Sequence, residues 1–141
     1  MATINVELDW VRDELFVGRD RMGTALVFGR APGAEPEIHG VKASDMLLLS
    51  LIACSAHDVA AILQKQRQKI TLLRVSAEGE QDNDPPWRFR KIRVRYKMVG
   101  QDLNESFIKR AIELSQEKYC SVYATLRDAV EITSEYDIEN A

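Results

Sequence analysis

An α+β fold, an antiparallel sheet with helices on one face, follows from three features of the sequence. Two neighbouring segments, 70–80 and 91–99, alternate apolar with polar or charged residues at the period of a half-buried strand. The stretch between them, Gln81-Asp82-Asn83-Asp84-Pro85-Pro86-Trp87, has the residues of a hairpin loop. Upstream, Met46 to Ala56 carries no charged side chain, so a helix there is apolar all round and requires cover on every side. Strands, helices and strands come in runs rather than in strict βαβ alternation, which is the α+β pattern.

The elements follow in order within a single expected domain, 1–141. Residues 3–30 read as short strands: Ile4, Val6 and Leu8 alternate with Asn5, Glu7 and Asp9, and Leu15-Phe16-Val17 and Ala25-Leu26-Val27-Phe28 are two further candidates. Gly18-Arg19-Asp20-Arg21-Met22-Gly23 is the expected turn between them, and 29–36 an expected loop. A helix is expected over about 44–68, with Ser44 as N-cap and Asp45 placing a negative charge on the positive end of the helix dipole. In the hairpin 70–99, Leu73, Val75 and Ala77 share one face with Ile92, Val94, Tyr96 and Met98. The opposite face places Glu78 and Glu80 near the basic row Lys91, Arg93, Arg95 and Lys97. Helices are expected over about 103–129, the first presenting Phe107, Ile108, Ala111, Ile112 and Ser115 on one face, and a last strand over 130–138. A small sheet covers one side of the 44–68 helix, so its other side is expected to pair with the same helix of a second chain in a homodimer.

Composition excludes several classes. A net charge of −3 gives no general attraction to nucleic acid, and the basic strand 88–97 is expected to pair with Glu78, Glu80, Glu131 and Glu135 as a cross-strand ladder rather than to bind RNA. No run of about 20 apolar residues is evident, and the first residues lack the basic and apolar regions of a signal peptide, so a cytoplasmic protein with no membrane partner is expected. No cofactor is called for. Two cysteines 66 residues apart and two unpaired histidines make no zinc spacing, so no metal is expected.

The chemistry rests on the two cysteines. Cys54 lies in the apolar helix and Cys120 at a helix junction, in a compartment where cysteines are catalytic or buried more often than disulfide-bonded. A thiolate attacking a peroxide becomes a sulfenic acid, a second thiol condenses with it to a disulfide, and an external dithiol resets the pair. A buried thiolate needs a cation, and arginine, charged at all relevant pH, suits the task. Cys120, at the start of a helix, has the more favourable backbone environment. His57 reads as a packed or boundary histidine, and Asp58 as a surface or structural acid.

The segments Gly40-Val41-Lys42-Ala43-Ser44-Asp45-Met46-Leu47-Leu48-Leu49-Ser50-Leu51-Ile52-Ala53-Cys54-Ser55-Ala56-His57-Asp58-Val59 and Glu117-Lys118-Tyr119-Cys120-Ser121-Val122 together resemble the OsmC/Ohr family, in its OsmC-like branch. Those names stand for osmotically inducible protein C and organic hydroperoxide resistance protein. The resemblance implies an intertwined homodimer, with antiparallel sheets around paired central helices, that reduces organic hydroperoxides and is reset by a dithiol of lipoyl type. It matches Cys54 to the peroxidatic and Cys120 to the resolving cysteine. It matches Arg19, in Gly18-Arg19-Asp20, to the catalytic arginine, with Arg21 as the spare candidate. Asp45 stands where the family has an arginine-orienting glutamate, one methylene longer, and Ala43-Ser44 replaces the family's preceding proline. The alternative reading is a non-catalytic dimeric module that binds a small ligand and keeps both cysteines packed and inert.

Overall fold

The computed structural model describes residues 1–33 and 37–141; the end of the expected 29–36 loop lies outside them. The chain divides into two compact units, Met1–Leu47 and Leu48–Ala141.

The first unit is an antiparallel sheet of four strands in sequence order: β1 (Glu7–Arg12), β2 (Glu14–Arg19), β3 (Ala25–Ala31) and the short β4 (Ile38–His39). The strands extend beyond the apolar triplets that announce them. Gly18 and Arg19 belong to β2, paired with Leu26 and Ala25, so the turn is confined to the residues after Arg19. Asp20 organises that turn. Its Oδ1 accepts the backbone N–H groups of Met22 and Thr24, each at 2.8 Å, and those backbone bonds hold its carboxyl below the ordinary range. Gly29 takes the left-handed region at φ 81°, and a Cβ there would meet the Glu14 carbonyl oxygen at 1.8 Å, so no other residue fits this point of the β2–β3 pair. The first strand begins at Glu7 rather than near Ile4.

The second unit packs helices against a three-stranded sheet. The helix α1 (Ala43–Lys65) begins at Ala43, which places Ser44 inside the first turn instead of at the cap. Four residues one turn apart, Leu51, Ser55, Val59 and Leu63, form its buried stripe, and Leu49 on another side is 46% exposed. By length and composition α1 could cross a membrane, which the absence of an obvious apolar run did not suggest, but core helices share that profile, and the Leu51, Val59 and Leu63 side chains belong to one cluster with the sheet.

Strands β5 (Lys69–Gln81) and β6 (Phe89–Gln101) form the expected antiparallel hairpin. Ile92, Val94, Tyr96 and Met98 are buried on the helix-facing side of β6, and Lys91, Arg93, Arg95 and Lys97 are exposed on the other. The basic row is a charge ladder, as the alternation implied: Arg93 meets Glu78 at 3.3 Å, Arg95 meets Glu135, and Lys91 lies 4.0 Å from Glu131. The helix α2 (Glu105–Leu114) is capped by the Asn104 side chain, which accepts from the N–H groups of Ser106 and Phe107. It buries Ile108, Ala111 and Ile112 and leaves Phe107 39% exposed. A single π turn, Ser115–Tyr119, and the short α3 (Ser121–Leu126) follow. The last strand, β7 (Glu131–Asn140), pairs with β6 in parallel, so the sheet is mixed rather than wholly antiparallel. The reason is the connection: the chain crosses over through α2 and α3 and re-enters the sheet from the same end, as a helical crossover requires.

Candidate functional site

The buried stripe of α1 carries one polar residue, Ser55, and a cluster of polar groups gathers around it. The Tyr96 hydroxyl, from the inner face of β6, bonds the Ser55 hydroxyl. Ser55 Oγ lies 3.3 Å from Ser115 Oγ, and Ser115 Oγ donates to Asp58 Oδ2 at 2.9 Å. The hydroxyls of Ser55, Tyr96 and Ser115 each have a partner, as buried polar groups require. Tyr96 is 2% and Ser115 0% exposed. Burial and the neighbouring acids push the Tyr96 hydroxyl pKa up, with the Ser55 bond opposing, so the phenol stays protonated.

The cysteines sit beside this chain of hydroxyls. Cys54 precedes Ser55 on α1, and Asp58 lies one helical turn beyond Cys54. Cys120 is set by the π turn: its backbone N–H bonds the Ser115 carbonyl at 2.7 Å, five residues back. It then caps α3, with its Sγ accepting the Tyr123 N–H at 3.3 Å. The sulfurs of Cys54 and Cys120 and a carboxylate oxygen of Asp58 all lie within 4.8 Å of one another. Both thiols are free, Cys54 half-buried and Cys120 buried.

The favourable start-of-helix environment expected for Cys120 is outweighed. Burial pushes its thiol up to about 11, helped by a hydrogen bond to Cys54, and the Tyr123 N–H opposes only in part. Cys120 therefore holds its proton at neutral pH.

The other sequence candidates lie in the N-terminal unit. Arg19 ends β2, and its guanidinium meets the Asp9 carboxylate at 3.0 Å in the single chain. Asp45 is exposed in the first turn of α1 and forms no ion pair among the described residues. Arg21 is exposed in the turn that follows β2. In the second unit, His57, expected to be packed or at a boundary, is exposed on α1.

A family model described as OsmC-like protein matches residues 35–135. The chain belongs to the OsmC family. Protein YhfA of Escherichia coli strain K12 is 32% identical over 135 residues, spanning 96% of this chain and 98% of its own length. The crystal structure of a hypothetical protein from Aquifex aeolicus VF5 superposes with a TM-score of 0.86 at 26% identity, covering 100% of this chain and 99% of that one. The organic hydroperoxide resistance protein OhrB of Bacillus subtilis shares the fold, with a TM-score of 0.61 at 15% identity over 96% of this chain and 98% of OhrB. The fold is thus shared with a protein named for organic hydroperoxide resistance.

Within this OsmC fold, reasoning from sequence placed both cysteines but passed over Asp58 as a surface or structural acid and did not single out Ser55, Tyr96 or Ser115 as a group. Each left a signal. Asp58 follows Cys54 by four residues and so shares its helix face. Ser115 falls on the apolar face of the 102–116 segment. Tyr96 falls on the buried face of β6, where its hydroxyl must find a partner.

Proposed function

We propose that the chain is a thiol-dependent peroxidase that reduces organic hydroperoxides and works as a cytoplasmic homodimer. The observation that carries this reading is the pair of free thiols whose sulfurs lie within 4.8 Å of each other, one on α1 and one fixed by the π turn. Cys54, the less buried of the two, is the nucleophile. Its thiolate attacks one peroxide oxygen, the O–O bond breaks, and the products are a Cys54 sulfenic acid and an alcohol that takes up a proton. The Cys120 thiol condenses with the sulfenic acid, releasing water and forming the Cys54–Cys120 disulfide. An external dithiol of lipoyl type restores both thiols by exchange and is itself oxidised to its disulfide. A proton held on Cys120 suits this order, because it leaves Cys54 to act first.

Arg19 is the cation assigned to stabilise the Cys54 thiolate and orient the peroxide, and Asp45 the carboxylate assigned to fix Arg19. The dimer is supported by apolar side chains that a single chain leaves in water: Leu8 at 56%, Trp10 at 67% and Val11 at 50% exposure on β1, and Leu49 at 46% on α1. The test is hydroperoxide consumption with a dithiol present. Cys54→Ser is expected to abolish it. With the dithiol left out, Cys120→Ser is expected to consume one equivalent and to leave a Cys54 sulfenic acid that a dione reagent captures. Undiminished consumption by Cys54→Ser would overturn the reading.

A second reading, a dimeric module that binds a small apolar ligand with inert thiols, is favoured by one feature. The N-terminal unit holds an open hollow of about 480 Å³ lined by Leu8, Phe16, Phe28 and Val41. Native-state thiol titration separates the two readings, since inert cysteines resist a reagent that a thiolate meets quickly.

A further inference from the structure

We propose that Cys54, Asp58 and Cys120 form, in the reduced protein, a binding site for a thiophilic divalent cation, with zinc the best fit. The spacing of the cysteines in sequence gives no zinc pattern; the fold supplies one by bringing Cys120 to the helix face that carries Cys54 and Asp58. The three donor atoms lie within 4.8 Å of one another. Zinc bonds to thiolate sulfur at about 2.3 Å and to carboxylate oxygen at about 2.0–2.2 Å, which places tetrahedral donors roughly 3.8 Å apart. A closure of about 1 Å, within the reach of side-chain rotation, therefore completes three corners of the site. Water takes the fourth corner, the arrangement of a three-ligand zinc centre.

Two further observations favour an ion there. The donors are held by regular structure: Cys54 and Asp58 are one turn apart on α1, and Cys120 is fixed by the bond of its N–H to Ser115 and by the cap of α3. The carboxylate is also oriented from behind, since Ser115 Oγ donates to Asp58 Oδ2 and Ser115 is held in turn by Ser55 and Tyr96. Metal-binding carboxylates are characteristically supported in this way. Charge favours the same occupant. Two thiolates and a carboxylate carry three negative charges, and a divalent cation leaves one. Binding requires the thiolate forms and displaces any thiol proton, with no change in oxidation state, so affinity rises with pH.

The site itself stands on this geometry alone. Its consequence for activity rests on the peroxidase reading: an ion on both thiols blocks attack on hydroperoxide, and a chelator restores it. The experiment is an anaerobic titration of the reduced, chelator-treated full chain with Co²⁺, followed by displacement with Zn²⁺. One ion per chain is expected, with thiolate-to-cobalt charge-transfer absorption and the intense visible bands of a tetrahedral centre, both lost when Zn²⁺ is added. Ser115→Ala is expected to weaken binding about 10–100-fold, the range for loss of a supporting group, and Asp58→Asn, which removes the charged ligand itself, by at least as much, each variant checked for fold by circular dichroism and with both thiols still present. Prior oxidation of the wild-type chain to the disulfide is expected to abolish it. Absence of the charge-transfer band, or binding unchanged in the oxidised chain and in both variants, would overturn the proposal. The titration contains no hydroperoxide, so the two readings fail separately. A chain that binds the ion but consumes no peroxide loses the peroxidase reading alone, and a chain that consumes peroxide but takes no ion loses this one alone.

Discussion

Cys120 is the residue whose chemistry the fold alters most clearly, and its reactivity is calculable. Its thiol pKa is raised from 9.0 to about 11, chiefly by burial and then by the bond to Cys54. Two units leave about 100-fold less thiolate at any pH below 9. The more basic thiolate is the better nucleophile, and a Brønsted coefficient of about 0.4–0.5 returns roughly a factor of 6–10. Chemistry alone therefore makes Cys120 about 10-fold slower than an ordinary cysteine towards a small alkylating reagent. Its 2% exposure lowers the rate further. The assay is native-state alkylation at pH 7–10.5, with each cysteine followed by peptide mass. The Cys120 rate is expected to keep climbing through pH 10, where an ordinary thiol has levelled off. In Cys54→Ala the curve shifts to lower pH, because one cause of the raised pKa is gone while burial remains. Alkylation of Cys120 at the rate of an unfolded control at pH 8, or a plateau near pH 9, would refute the reasoning.

Three further outcomes follow from the same geometry. The folded state holds the Cys120 proton more tightly than the unfolded one, so between pH 9 and about 11 it binds more protons and stability falls as pH rises, by about 1 kcal/mol per pH unit at most; urea midpoints across that window should fall more steeply for wild type than for Cys120→Ala. Ser115→Ala removes the donor to Asp58 and a partner of Ser55 in a buried setting and is expected to cost about 1–3 kcal/mol in chemical denaturation. Glu135→Ala breaks an exposed rung of the charge ladder and is expected to cost no more than about 1 kcal/mol, with the difference shrinking at high salt.

The strands and the ladder were legible because period two carries its own meaning: once Ile92, Val94, Tyr96 and Met98 face the core, Lys91, Arg93 and Arg95 must face out, where Glu78, Glu131 and Glu135 meet them. Helical periodicity likewise marked Ile108, Ala111, Ile112 and Ser115, which are buried, but it placed Phe107 on the same face, and Phe107 is 39% exposed. Alternation has no direction, however, so it could not distinguish a parallel from an antiparallel β7; the helical crossover decides that. The π turn was hidden because a helical face pattern over 102–116 reads the same whether its end closes with four- or five-residue bonds. That turn in turn hid the neighbourhood of Cys120 and Asp58, which are far apart in sequence and meet only through it. Ser44 shows the opposite error: a good capping residue next to an acid suggested a helix start, and the helix begins one residue earlier.

The most direct measurement is intact mass and free-thiol content after one equivalent of an alkyl hydroperoxide is added to the reduced protein. Rapid loss of both thiols is expected, with an intramolecular Cys54–Cys120 disulfide that a dithiol reverses. Two persistent thiols and an unchanged mass would contradict it.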